Sequence, residues 1–410
     1  MLRHVAKHYP ALLTAALPHT VVKMAKTPSM LHYLAPLMIF LHAGNFCTAN
    51  ESSLQKLFND SLKRKAIVGA QLIEGSTRRS PETTSNYGFD SPNQQNPVTQ
   101  NTKFCIGSCS KPMVACLLFI LIDREILELT KPADQWLPCL GRLELENGTP
   151  VRSPSVQELL THRGGIYSQK HRLTRAQLKP IRDFTLSLSE ASLQICDFPL
   201  MSKPGERYAY SGAGYCLLGR IAEKATNQSI EALLQKYLCE PLGMRSTTYF
   251  PTQPNDLERR SQPNSPVATG GKGTRAPHQY GDELRLPLVG GSIHTTASDL
   301  QRFVRMVANG GTIGSSQLMR QSQWEAYLSL PYHDQNYGNG WTHQLTGEQK
   351  ILTHNGSLPP SQSTIRLNLS TGEYTIATWT LADPSDHKTT SRLRMQIKQA
   401  MDQKESPTAH

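Results

Sequence analysis

The sequence predicts an α+β fold: an antiparallel β-sheet flanked by helices, built from both chain ends, with an inserted, mostly helical segment. Two observations predict it. Strand-like runs occupy residues 66–73 and recur from 350 to 379. Between them, from roughly 120 to 300, the chain reads as helix and loop with few β-rich stretches. Terminal β elements around a helical middle pack most simply when both ends share one sheet.

Taken in order, residues 1–49 read as a leader. The apolar stretch Leu34-Ala-Pro-Leu-Met-Ile-Phe-Leu41 is too short to span a bilayer as a helix. It fits the core of a secretory signal cleaved after about Ala49, with Met30 as a candidate true start. A cytosolic tail is the alternative reading. Export would place the mature chain in the periplasm, in the cell envelope or outside the cell.

Residues 52–65 form an amphipathic helix with Leu54, Leu57, Phe58 and Leu62 on one face, and Ala66 to Ile73 a strand. The polar stretch 75–100 is loop or irregular edge strand. A buried helix is expected over 109–127, with Pro112 tolerated in its first turn. Ser229–Tyr237 and Ser298–Asn309 read as helices, the second closed by Gly310-Gly311. The stretch 252–287 is loop, and Gly270-Gly-Lys-Gly273 within it lacks the strand and helix of a phosphate-binding loop. Thr364–Leu369 and Glu373–Trp379 flank Ser370-Thr-Gly372 as a β-hairpin, and 391–404 is a closing helix. The domain reading is a sheet unit from 50–107 and 300–404, a helical unit from 108–299, and a tail at 405–410.

The 410 residues carry a net charge of +11. Residues 1–50 hold Arg3, Lys7, Lys23 and Lys26 and no acid, leaving +7 on the remainder. A mildly basic body favours anionic substrates or an anionic wall polymer. No stripe of Lys/Arg interleaved with aromatics exists, so no nucleic-acid partner is expected. The eight cysteines form no CxxC pair, which removes zinc-ribbon and thioredoxin-like readings. Without Cys47 seven remain, an odd number that argues against a fully paired framework.

Three clusters carry chemistry. In Phe104-Cys-Ile-Gly-Ser108-Cys-Ser-Lys111, a helix starting near Ser108 puts Lys111 one turn on, on the same face. A serine hydroxyl needs a nearby base. A lysine serves only when burial or neighbouring positive charge strips its proton. The plain alternative is a solvated helix start. In Tyr208-Ala-Tyr210-Ser-Gly212-Ala-Gly-Tyr215, a tyrosine near that pair is placed to relay a proton; otherwise it is a core or surface tyrosine. Thr353-His354-Asn355-Gly356-Ser357 ends a short β run, Lys350–Thr353. There a histidine can meet a substrate carboxylate or assist proton transfer, and the glycine lets substrate backbone approach the strand edge. Alone it is a loop histidine.

In this order the clusters resemble the Ser-x-x-Lys, Tyr-x-Asn and Lys/His-x-Gly elements of the serine β-lactamase and penicillin-binding-protein superfamily. The surroundings resemble its class C β-lactamase, DD-peptidase and esterase branch. Those stretches are Leu159-Leu-Thr-His-Arg-Gly-Gly165, Gly214–Gly219, Glu240-Pro-Leu-Gly-Met244, Gly290–Asp299 and Tyr337-Gly-Asn-Gly-Trp341. The resemblance covers about 52–404 and implies a β-lactamase/transpeptidase-like fold without a cofactor. It implies that Ser108 is acylated, Lys111 is its proton partner, and Tyr210 acts as general base and acid. The N–H groups of Ser108 and Ser357 would form the oxyanion hole. Gly212, His354, Asn355, Gly356 and Ser357 would line the substrate site. The implied substrate is a small molecule or a peptidoglycan-type peptide.

Two departures matter. Gly212 replaces the family's Asn, whose amide contacts the substrate, and the loss of a buried contact costs about 1–3 kcal/mol. His354 stands where β-lactamases have Lys. Both weigh against an efficient β-lactamase, and Gly212 suits an ester. Cys105 and Cys109 read as packing residues. Three readings stand: a serine hydrolase of D-amino-acid peptides or small esters, a carboxylesterase of this type, and a catalytically weak penicillin-binding module. No Gly-x-Ser-x-Gly elbow occurs, and no His-x-His-x-Asp or His-Glu-x-x-His grouping calls for a metal.

Overall fold

The structure, a computed structural model, describes residues 51–79, 82–90, 96–250 and 285–403. The leader, nearly all of the 252–287 stretch with Gly270–Gly273, and the tail lie outside these residues.

The fold is α+β, with one antiparallel sheet drawn from both ends of the described chain. Its strands are β1 (Ile67–Ser76), β2 (Thr83–Gly88), β5 (Thr342–Thr346), β6 (Gln349–Leu358), β7 (Ser361–Asn368) and β8 (Glu373–Leu381). A separate short pair consists of β3 (Phe104–Cys105) and β4 (His294–Thr295). The sheet order is β2-β1-β8-β7-β6-β5. The ends meet at the β1–β8 pair, which runs from Ile67 opposite Leu381 to Ser76 opposite Glu373.

Alternation along β1 and β8 feeds two cores. Ala70, Leu72, Trp379 and Leu381 face helices α1 (Ser53–Lys63) and α7 (His387–Gln403), where Leu54, Phe58, Leu393 and Ile397 are buried. Ile73 and Ile376 join the larger core on the other face, with α2 (Ser110–Asp123), α5 (Gly212–Thr226) and α6 (Ala297–Ala308). With both faces covered, β1 is buried over Ile67–Glu74, so its sequence runs apolar rather than alternating. Ser52 and Gln55 form a capping box at the start of α1. Shorter helices α3 (Val156–Leu160) and α4 (Leu188–Cys196) complete the part that positions the site.

Several boundaries differ from the sequence reading. Helix α2 ends at Asp123 rather than 127. The Ile126 amide bonds the Leu121 carbonyl at 2.9 Å, with Glu125 at φ +60°, and this turn folds Leu127 back onto the core. The stretch 75–100 supplies the edge strand β2. The run Lys350–Thr353 does not end at Thr353. Strand β6 continues through His354-Asn-Gly-Ser to Leu358, because β7 pairs with it along Ile351–Leu358. Tertiary pairing here overrides the weak strand preference of those residues. Cys139 and Cys196 form a disulfide that ties the turn Pro138–Arg142 to the end of α4. The thiols of Cys105, Cys109, Cys116, Cys216 and Cys239 are buried. Among the described residues, no helix is long and apolar enough to cross a membrane.

Phe58 stacks on Tyr87 and meets the edge of Trp379, at centroid separations of 5.5 and 5.9 Å. Phe58→Ala should lower the unfolding free energy by about 3–5 kcal/mol in urea denaturation. A loss below about 1 kcal/mol would show that the terminal-helix layer is not coupled to the sheet.

Candidate active site

The nucleophile turn is fixed before the nucleophile is reached. Strand β3 pairs with β4, and the Ile106 amide bonds Ile293 O at 2.9 Å. A 3₁₀ turn, Gly107–Cys109, then leads into α2. Ser110 Oγ donates to Gly107 O at 2.7 Å and accepts from the Ile293 amide at 3.2 Å. Gly107 sits at φ +50°, and a Cβ there would lie 2.4 Å from the Ser357 nitrogen. Only glycine permits both the dihedral and the contact. Ser108 is thus held half-buried at the start of α2, where backbone N–H groups lack helical partners.

Lys111 is 2% exposed. Its Nζ donates to Ser108 Oγ at 3.1 Å and to Gly290 O at 2.7 Å. It also lies 4.8 Å from the Tyr210 ring centroid and 5.2 Å from that of Tyr215. Both acceptors are uncharged, and burial lowers the amine's pKa to about 7. A Cβ on Gly290 would meet Tyr215 Cβ at 2.9 Å and Lys111 Cγ at 3.0 Å, so that glycine makes room for the amine's stem. Gly340, at φ +87°, presses on the Lys111 carbonyl in the same way.

Tyr210 precedes α5, with its ring centroid 4.8 Å from Lys111 Nζ and its phenol beside the Ser108 side chain. Burial pushes the phenol well above its usual range, so it is neutral. Ser108, Lys111 and Tyr210 therefore meet in one cleft. His162, Tyr208, Tyr215, Tyr337 and His354 surround them. His162 lies 4.3 Å from Tyr210 and 4.7 Å from Tyr337 between ring centroids, and Tyr210 lies 6.4 Å from His354.

The third cluster lies on β6. Strand β5 pairs only with residues 349–353, which leaves 354–358 as an open edge beside the nucleophile turn. His354 is buried. Its Nδ1 is 3.0 Å from Asn355 O and its Nε2 3.3 Å from Tyr337 Oη. Burial, and then Lys111, depress its pKa to about 3, so the ring is neutral. That argues against the charge-pairing role read for it from sequence. Asn355 is exposed and accepts from Thr364 Oγ1 at 2.8 Å. Ser357 Oγ accepts from Gln362 Nε2 at 3.2 Å.

Gly356 has a packing purpose that the sequence did not show. A Cβ there would lie 1.9 Å from Ile106 O and 2.2 Å from Ser363 Oγ. The missing side chain admits the protein's own nucleophile turn, which brings the backbone around Ser108 and Ser357 together.

Gly212 leaves no gap. The Gln169 amide occupies the space a Cβ would enter, 2.8 Å away, and its Oε1 accepts from the Gly212 amide at 2.8 Å. The sequence reading missed Gln169; nothing in its polar loop sets it apart. It also missed Gly290 as the lysine's acceptor, although the Gly290–Asp299 motif had marked the segment. Cys109 is buried, donates to His354 O at 3.2 Å, and has its thiol pushed up to about 12, which leaves it protonated.

The chain matches the Beta-lactamase family profile over residues 54–398 and belongs to that family, whose members are serine hydrolases. Among curated relatives, it is 27% identical to Esterase EstB of Burkholderia gladioli over 63% of this chain and 70% of that protein. It is 25% identical to Penicillin-binding protein 4* of Bacillus subtilis over 67% of this chain and 59% of that protein. Several other relatives are spanned over only about half their length, 54–56%. Among solved structures, EstCE1, a hydrolase with promiscuous acyltransferase activity, superposes with a TM-score of 0.68 at 17% identity, covering 85% of this chain and 97% of that one.

The depressed lysine makes a stability prediction. Between pH 7 and 10.5 the unfolded chain holds a proton on Lys111 that the folded chain has lost, so stability rises with pH across that window. Lys111→Met should therefore be more stable than the parent at pH 7, by ~2–4 kcal/mol, with the gain vanishing towards pH 10.5. Denaturant melts at several pH values measure it; an equal difference at pH 7 and 10.5 would contradict the assigned cause.

Proposed function

We propose that this protein is a serine hydrolase working through an acyl-enzyme on Ser108, with small carboxylic esters as its first substrate class and short D-amino-acid peptides as its second. One observation carries the reading: the Lys111 amine, 3.1 Å from Ser108 Oγ, has no anionic partner among the described residues and a pKa near neutrality.

Neutral Lys111 takes the Ser108 proton as Oγ attacks the carbonyl carbon. The oxyanion forms between the amides of Ser108 and Ser357, where preorganised donors contribute about 3 kcal/mol each. The Tyr210 phenol gives its proton to the leaving oxygen or nitrogen and regains one from Lys111. Water then enters by the same route in reverse and frees the acid. Because His354 is neutral and hydrogen-bonded to Tyr337, it acts as a wall of the cleft.

The ester reading is favoured by Gly212 and by the relationship to EstB. The peptide reading is favoured by Gln169, whose amide stands beside Gly212 with its Nε2 donor uncommitted to that glycine. A location outside the reducing cytosol belongs to the same proposal and is supported by the Cys139–Cys196 disulfide.

Incubation with a p-nitrophenyl ester and with a fluorescent penicillin, followed by mass spectrometry, tests the proposal. Ester turnover should occur, rise with pH around a midpoint near 7, and disappear in Ser108→Ala. Unchanged turnover in that variant would remove the mechanism. A stable penicillin adduct on Ser108 without ester turnover would favour the penicillin-binding module instead. Gln169→Ala should leave p-nitrophenyl acetate turnover within about twofold and cut kcat/KM for a D-alanyl peptide by about tenfold or more. Equal losses on both substrates would remove the residue from substrate selection.

A further inference from the structure

Resting on that reading of the site, we propose that His162 is the positioning residue of Tyr210, holding the chain on both sides of the phenol with one backbone carbonyl and one imidazole nitrogen. His162 lies in the Leu159–Gly165 motif, which the catalytic scheme leaves without a role.

The geometry is direct. The His162 carbonyl accepts from the Ala209 amide at 2.8 Å. Its Nδ1 accepts from the Ser211 amide at 3.1 Å. Those residues flank Tyr210, whose own carbonyl accepts from Ser168 Oγ at 2.7 Å. The Tyr210 backbone is therefore pinned from three directions, and the imidazole packs at 4.3 Å from the phenol ring it positions.

Two further observations show that this arrangement is retained against a cost. His162 adopts φ +60°, a left-handed conformation that residues with a Cβ rarely take. That dihedral lets the carbonyl and the side chain of one residue serve the same neighbouring segment. The second observation is Nε2, which is buried and has no hydrogen-bond partner. Because Nδ1 accepts a backbone N–H, the ring proton must reside on Nε2. A helix-end histidine kept only for packing has no need of both features; strain and an unmade bond together mark a functional constraint.

The bond requires a neutral ring, since a protonated Nδ1 would oppose the Ser211 amide. Burial keeps the ring neutral, with help from the Lys170 cation. The clamp thus adds no charge to the surroundings of Lys111.

A substitution series separates positioning from folding. His162→Gly accepts the positive φ but has no acceptor. His162→Asn accepts it and offers Oδ1 to the Ser211 amide. With a p-nitrophenyl ester, His162→Gly should lose about 10–100-fold in kcat with KM changed less than about threefold. His162→Asn should recover to within about threefold of the parent. Full activity in a folded His162→Gly, or an Asn variant no better than Gly, overturns the proposal. A second readout needs no turnover. In protein carrying ¹³Cζ-tyrosine, the signal lost in Tyr210→Phe should be sharp and unchanged to pH 10 in the parent, and broadened or titrating in His162→Gly. An identical signal in both overturns the clamp. An altered signal in a protein without esterase activity would leave the clamp standing and remove the ester reading.

Discussion

A lysine amine closed off from water is unstable as an ammonium, and the candidate site is arranged around that instability. Lys111 sits at the start of a helix buried from Ser110 to Ile122, and its amine donates to the Ser108 hydroxyl and the Gly290 carbonyl, both uncharged. A carboxylate beside it would return the proton and silence it as a base. The nearest aromatic groups are neutral phenols, and both histidines of the cleft are kept uncharged by burial. The free energy lost to this arrangement is recovered from the two hydrophobic cores that hold the helix and the sheet.

Glycines set the distances. Gly107 and Gly356 remove two β-carbons from the line where the nucleophile turn meets the sheet edge, and Gly290 removes a third beside the amine. At Gly107 and Gly356 the absent side chain lets backbone approach backbone, and at Gly290 it makes room for the side chains of Lys111 and Tyr215. The protein thus assembles its reactive groups by close approach of main chain, which varies less than the torsions of long side chains.

Much of the site was legible in the sequence. Ser108 and Lys111 are one helical turn apart, so local geometry alone predicted their meeting. Tyr210 is a hundred residues away, and only the family resemblance brought it to the same cleft. The fold class followed from the distribution of β-rich runs. What stayed illegible depends on tertiary contacts. His354–Ser357 read as a loop because its residues have weak strand preference, yet β7 draws them into a strand. Gly356 was assigned to substrate access because the turn against it could not be foreseen. Gln169 filling the place beside Gly212 comes from a separate loop, and no local pattern announces such a substitution in space. The motif containing His162 was visible, but the pairing of its two acceptors with residues 209 and 211 was not.

The pairing of β1 with β8 has a consequence for how the chain is made. Ile67 finds its partner only at Leu381. During synthesis the apolar β1 strand must wait, unpaired on that side, until almost the whole polypeptide has emerged. Contacts so distant in sequence slow folding and leave an exposed edge open to self-association. A chain that cannot close its central sheet early also stays threadable for longer.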